Sequence, residues 1–195
     1  MVLKKGEIMN KRIKKKIRRN TNKKLIERYP FLNPNVEYCG YLDTKNYKYD
    51  YTLLDEMPSG WKRRFGKLMC EMIREELLKN NALNEYRIFQ IKEKYGSLRW
   101  YDNGGSPSVD DIVRKFEYIS GHTCVACGKL DVNLITDGWI VPLCESCYNK
   151  TNSTKSYSEY NGNNKLEGSF TITRFSNEEI ENIVFDVGEI IKVIS

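Results

Sequence analysis

Four of the six cysteines in this 195-residue chain fall in a pattern that can bind a metal. Cys124, Cys127, Cys144 and Cys147 form C-x2-C-x16-C-x2-C within CVACGKLDVNLITDGWIVPLCESC. Each C-x-x-C turn aims two thiolates at one point, and two turns supply the four sulfurs of a tetrahedral zinc site. Gly128, directly after Cys127, suits a tight knuckle. Asp137-Gly138 signals a hairpin turn, with Trp139, Ile140 and Val141 as the return strand. The competing readings are four unrelated buried cysteines or two disulfides. A reducing cytoplasm, the compartment expected here, disfavours disulfides.

Such a site is expected to be structural. Catalytic zinc keeps one position open for water, and four thiolates leave none. His122, the only histidine, lies two residues before Cys124 and is expected to sit outside the ligand set. A zinc deaminase needs H-x-E and P-C-x-x-C. Here His122-Thr123-Cys124 lacks the glutamate, and Leu143 separates Pro142 from Cys144. A nuclease of the HNH type needs working histidines beside its knuckles, and a single histidine does not supply them. Phosphate-loop, dinucleotide and nucleophile-elbow motifs are absent from the sequence. No catalytic residue is assigned, and a non-enzyme is expected. Cys70 reads as a small core residue on a helix, and Cys39 receives no role.

The elements that must position these cysteines read as α+β: a small antiparallel sheet, two to three helices and an embedded four-cysteine zinc ribbon. Residues 1–28 carry twelve Lys or Arg and two Glu, a net of +10. Subtracting from the chain's 32 basic and 26 acidic residues leaves 20 and 24, a net of −4 for the rest. Residues 1–28 are therefore a basic arm that resists packing by itself, with Ile13 and Ile17 sharing a face if it becomes helical. Within it Lys14, Lys15, Lys16, Arg18 and Arg19 are the candidates for nucleic-acid phosphate contact.

Residues 29–120 read as the α+β body, 121–150 as the zinc-ribbon module, 151–169 as a polar loop and 170–195 as a C-terminal strand and helix completing the body. In the body, Tyr47, Tyr49 and Tyr51 alternate like one face of a strand. Pro58-Ser59-Gly60 starts a helix carrying Trp61, Phe65, Leu68, Met69, Met72, Ile73 and Leu77 at helical spacing. Tyr86–Lys92 and Ser97–Tyr101 form a hairpin turning near Gly96. Ser108 with Asp111 reads as the cap of a second helix. Near the end, FTITRF reads as a strand, Ser176 and Glu179 as a cap, Ile180–Val187 as a helix and EIIKVI as a last strand. No run of apolar residues is long enough for a membrane span.

KEKYGSLRWY (Lys92–Tyr101), followed by C-x-x-C and GWIVPLCESC (Gly138–Cys147), resembles a group of small, mostly uncharacterised phage and prophage proteins. These show K-E-K-[FY]-G-x-L-R-[FW]-Y before a zinc ribbon. The P-x-G-W at Pro58–Trp61 matches as well, and the resemblance spans about Leu53–Tyr148. The nearest functional class it implies is the zinc-containing anti-CRISPR proteins that block type II effectors. That would make the chain a non-catalytic binder of a host defence nuclease in the bacterial cytoplasm. Candidate contacts on that reading are Lys92, Lys94, Tyr95, Arg99 and Trp100. The alternative function is a nucleic-acid-binding phage regulator acting through the basic arm.

Overall fold

A computed structural model describes residues 10–34, 47–136, 139–151, 157, 166–175 and 180–194. Cys39, the Asp137-Gly138 turn and the Ser176/Glu179 cap lie outside these residues, as does most of the polar loop.

The basic arm forms helix α1 (Lys11–Arg28), opened by Asn10, whose side chain accepts the Arg12 N–H at 2.9 Å. A helix of such like charge is weak alone. Contacts with acidic groups of the body hold it. Arg19 makes a two-pronged bond to Asp50, 2.9 Å on each side, and Asn22 donates to the Tyr49 carbonyl at 2.8 Å. Arg28 grips Glu71 at 2.5 and 2.8 Å, and the Tyr29 hydroxyl donates to the same carboxylate at 2.6 Å.

The chain then passes through a 3-10 turn (Pro30–Leu32) that buries Phe31 and Leu32. A second 3-10 turn (Leu53–Glu56) leads into α2 (Ser59–Trp61), a π turn (Lys62–Gly66) and α3 (Lys67–Lys79). The π turn carries Phe65 onto the core side, where it lies 5.2 Å from Phe116. Strands β1 (Ile88–Lys94) and β2 (Ser97–Asp102) pair antiparallel. Tyr95 (φ 53°) and Gly96 (φ 83°) make their two-residue turn, the left-handed pair that matches strand twist. α4 (Pro107–Ser120) packs on both α3 and β2. β3 (Leu134–Thr136), β4 (Ile140–Pro142) and α5 (Glu145–Tyr148) build the ribbon. β5 (Ser169–Phe175) pairs with β6 (Ile180–Asp186), and α6 (Val187–Ile194) follows.

The class is α+β, with the strands divided among three two-stranded antiparallel sheets. One apolar core joins α3, α4 and the β1–β2 hairpin through Trp61, Phe65, Met69, Ile91, Leu98, Phe116 and Ile119. A second, smaller cluster belongs to the ribbon and includes Cys124, Val132, Ile135, Leu143, Cys144 and Tyr148. Cys70 is fully buried in the main core, where burial pushes its thiol well above the ordinary range.

Four expectations are corrected. Lys11–Arg28 are helical and docked where the arm was expected to resist packing. Residues Ile180–Asp186 are a strand, and the helix is Val187–Ile194, the reverse of the expected order. The spacing Ile180, Ile183, Val184, Val187 fits a helix, but seven register pairs to β5 are available to a strand there. Val187, Ile190, Ile191 and Ile194 make an equally good helical stripe, with Val187 and Ile194 buried. Tyr47, Tyr49 and Tyr51 form no strand. Tyr49 has φ 58°, and the three rings cluster, with Tyr47 5.0 Å from Tyr49 and 6.5 Å from Tyr51. The cap of α4 is Ser106, accepting the Val109 N–H at 3.4 Å, because Pro107 takes the first helical position.

No helix among the described residues is long and apolar enough to cross a membrane.

Candidate metal centre

Cys124 and Cys127 sit on a tight turn just after α4. Cys144 caps α5, and Cys147 lies within it. The antiparallel β3–β4 pair returns the chain so that the two turns face each other. All four sulfurs lie within 4.8 Å of one another. A tetrahedron of zinc–sulfur bonds has edges of about 3.8 Å, and Cys127 Sγ stands 3.6 Å from Cys144 Sγ. That separation is far beyond a disulfide bond of about 2.05 Å, and all four cysteines are free.

The knuckle amides face the sulfurs. The Cys127 N–H donates to Cys124 Sγ at 3.5 Å and the Lys129 N–H to Cys127 Sγ at 3.4 Å. Burial raises the Cys144 thiol, but the Ser146 hydroxyl at 3.3 Å and the Cys147 N–H outweigh it and bring the thiol down to about 6. Burial and the neighbouring sulfurs push Cys147 up to about 12, and burial also raises Cys127. The Cys144 thiolate is thus favoured, while burial first and the neighbouring sulfurs second resist ionisation of Cys127 and Cys147. A divalent cation at the centre removes that resistance by neutralising the sulfurs together. The donor set fits a metal ion held by four thiolates.

The first knuckle is wired into the body. The Gly60 N–H donates to the Val125 carbonyl at 2.7 Å, and the Trp61 indole N–H donates to the Thr123 carbonyl at 2.6 Å. The Ser59 hydroxyl and the Arg63 guanidinium both reach the Ala126 carbonyl. Arg64 Nε donates to the Gly128 carbonyl at 2.8 Å. Backbone packs on backbone here: a Cβ on Gly60 would lie 2.2 Å from the Cys124 carbonyl oxygen. Gly128 (φ 78°) lies on the other side of the same seam, where a Cβ would meet the Gly60 carbonyl oxygen at 2.7 Å. The P-S-G-W stretch starts α2, as its sequence signals, and is also the seat of the first cysteine knuckle. Its partners lie more than sixty residues away in sequence, so periodicity could not pair them.

The second half of the ribbon leans on the β1–β2 hairpin. A Cβ on Gly96 would fall 2.5 Å from Leu134 Cδ2, and the Trp139 indole donates to Glu93 at 2.9 Å. His122 is buried, its carbonyl accepting the Val132 N–H at 3.1 Å and its ring 5.2 Å from Tyr118. It stands outside the sulfur cluster.

The sequence-derived contact candidates fare differently. Trp100 is only 7% exposed and donates its indole N–H to the Tyr86 hydroxyl at 2.9 Å. It is a core residue and offers no face to a partner, which corrects that expectation. Arg99 is held by Ser97 Oγ and the Leu98 carbonyl. Lys92 lies over Tyr101 and Lys94 over Tyr95, and Tyr95 is 66% exposed. Trp139, not singled out as a contact by its sequence position, is 59% exposed at the same end of the molecule. In α1, Lys15, Arg18 and Arg19 gather around Asp50, whereas Lys14 and Lys16 are exposed.

Arg19 holds the Asp50 carboxyl down to about 2, through its hydrogen bond first and its charge second. A depressed carboxylate stabilises docking above its ordinary range and loses that effect as pH falls through the folded value. Protection of the α1 amides, taken as the intrinsic exchange rate over the observed rate at each pH, should therefore hold down to about pH 4 and fall towards about pH 2. Asp50→Asn should lower that protection already at neutral pH.

No model of a known protein family, no curated protein and no solved structure matches this chain.

Proposed function

We propose that the protein is a non-catalytic binder whose ribbon is closed by a structural zinc ion. The observation that carries this reading is the convergence of four sulfurs within 4.8 Å. Thiolate-only tetrahedral sets select zinc or iron–sulfur chemistry, and four thiolates fill every position of a tetrahedral ion. Elemental analysis should find one zinc per chain. Cobalt substitution should give the visible bands of a four-sulfur tetrahedral site, and a spectrum showing bound solvent would overturn the closed-site reading.

The binding surface is the end where Trp139 of the ribbon meets the β1–β2 turn, its indole bonded to Glu93. Tyr95 and Trp139 are exposed there, with Lys94 over the Tyr95 ring, and Tyr101, 41% exposed with Lys92 over its ring, lies further along the hairpin. Exposed aromatics on rigid turns are the residues that anchor protein interfaces, because little side-chain freedom is lost on docking. The target class to test first is the one the resemblance implies, a type II CRISPR effector nuclease. A purified effector should form a stoichiometric complex with the chain. Tyr95→Ala with Trp139→Ala should weaken it by about 100-fold or more, read by calorimetry. Absence of a complex would exclude that target.

The docked basic helix favours a second reading, nucleic-acid binding. Lys14, Lys16, Lys23 and Lys24 are exposed along α1 while Arg19 and Arg28 fix the helix to the body. Replacing those four lysines by glutamine should reduce the slope of log affinity against log salt by about 3 to 4. An unchanged slope would remove α1 from any nucleic-acid contact.

A further inference from the structure

A groove of about 620 Å3 lies between the β1–β2 turn, α4 and β5. It is on the scale of small-molecule sites, about 300–1,000 Å3. One wall carries Arg99 from β2 and Arg114 from α4, with Glu117 one turn further along α4. Arg99 Nη1 is oriented by Ser97 Oγ at 2.7 Å and by the Leu98 carbonyl at 2.9 Å. That guanidinium is therefore placed before any ligand arrives. Burial raises the Glu117 carboxyl, opposed by the charges of Arg99 and Arg114. One cation would balance this carboxylate. Two guanidinium groups line the wall beside it, so the wall keeps an excess positive charge, and Arg114 is exposed. Lower in the groove, Tyr118 and Phe170 stack with centroids 4.0 Å apart and planes 14° from parallel. Oriented guanidinium beside stacked aromatic surface suits an anion with an apolar body.

We propose that this groove binds a small organic oxyanion, a carboxylate or phosphate on a flat apolar body. Arg99 and Arg114 hold the oxyanion, and the Tyr118–Phe170 pair lies against the body. The groove shares Tyr95 and Gly96 with the hairpin-turn surface, but its oxyanion contacts, Arg99 and Arg114, do not depend on the partner reading.

The test is a nuclear magnetic resonance titration of the zinc-loaded full chain with phenyl phosphate, benzoate and benzylamine in parallel. Saturable shifts of the Ser97, Gly121 and Thr171 amides are expected with at least one of the two anions, and none with the amine. The tighter anion identifies the oxyanion. Arg114→Gln, on an exposed helical position, should weaken binding about tenfold with unchanged zinc content and melting temperature. Arg99→Gln should do the same or more. No saturation by either anion up to about 10 mM, equal shifts with benzylamine, or binding unaffected by both substitutions would each overturn the assignment.

Discussion

Replacing Cys124 and Cys144 together by serine should abolish the proposed zinc binding and melt the ribbon while α3 and α4 stay folded. Structural zinc contributes about 10–16 kcal/mol of apparent binding energy to small cysteine modules. That matches or exceeds the whole stability of a typical domain, about 5–15 kcal/mol. The ribbon cannot make up such a loss, because its own apolar cluster is small and two of its buried members are the replaced cysteines themselves. The main core around Trp61, Phe65 and Phe116 does not use the sulfurs. Hydrogen exchange read by mass spectrometry should therefore show residues 122–148 exchanging at near-unfolded rates, with Lys67–Lys79 and Pro107–Ser120 still protected. Wild-type protein stripped by a chelator should give the same map, and zinc should restore it. Retained protection of β3 and β4 without metal would show that the ribbon stands by its own packing.

The second large effect is expected from one methyl group. In Gly60→Ala the new Cβ would lie 2.2 Å from the Cys124 carbonyl oxygen and 2.7 Å from both Gly128 N and Val125 C. All three are backbone atoms, so no side chain can swing away. Overpacking of this kind costs about 1–3 kcal/mol where neighbours can adjust. Here it should cost about 3 kcal/mol or more and lower the melting temperature by about 10 °C. Zinc affinity should fall with it, since the knuckle must shift to admit the methyl. Gly104→Ala is the control: nothing lies within 4 Å of its Cβ, although its φ of 91° carries local strain of its own. If Gly60→Ala melts no earlier than Gly104→Ala, the glycine seam is not tight.

What could be read from sequence followed from local rules. The helical stripe from Trp61 to Leu77, the hairpin at Gly96 and the four-cysteine spacing are periodicities or motifs of short range. The structure brings those four sulfurs together. What stayed hidden depended on distant partners. Asp50 and Glu71 turn a repulsive basic arm into a docked helix, yet nothing near Arg19 or Arg28 in sequence announces them. Trp100 lies in a strand beside the exposed Tyr101, and only the meeting with Tyr86 buries it. At the C-terminus two stripes of β-branched residues were each compatible with helix or strand. Pairing between β5 and β6 decided which was which.

The carbonyls of Thr123, Val125, Ala126 and Gly128 all take their hydrogen bonds from Ser59–Arg64. The ribbon is thus an inlay rather than a bead on a string. Excised as a peptide, it would turn those four acceptors to solvent and leave its glycine seam without a counterpart. Transplanting it into another scaffold, by an engineer or by recombination, would require carrying a second, distant piece of chain along with it. The smallest heritable unit of this four-cysteine site is therefore split in two, and a crossover falling between the pieces would separate a knuckle from its socket.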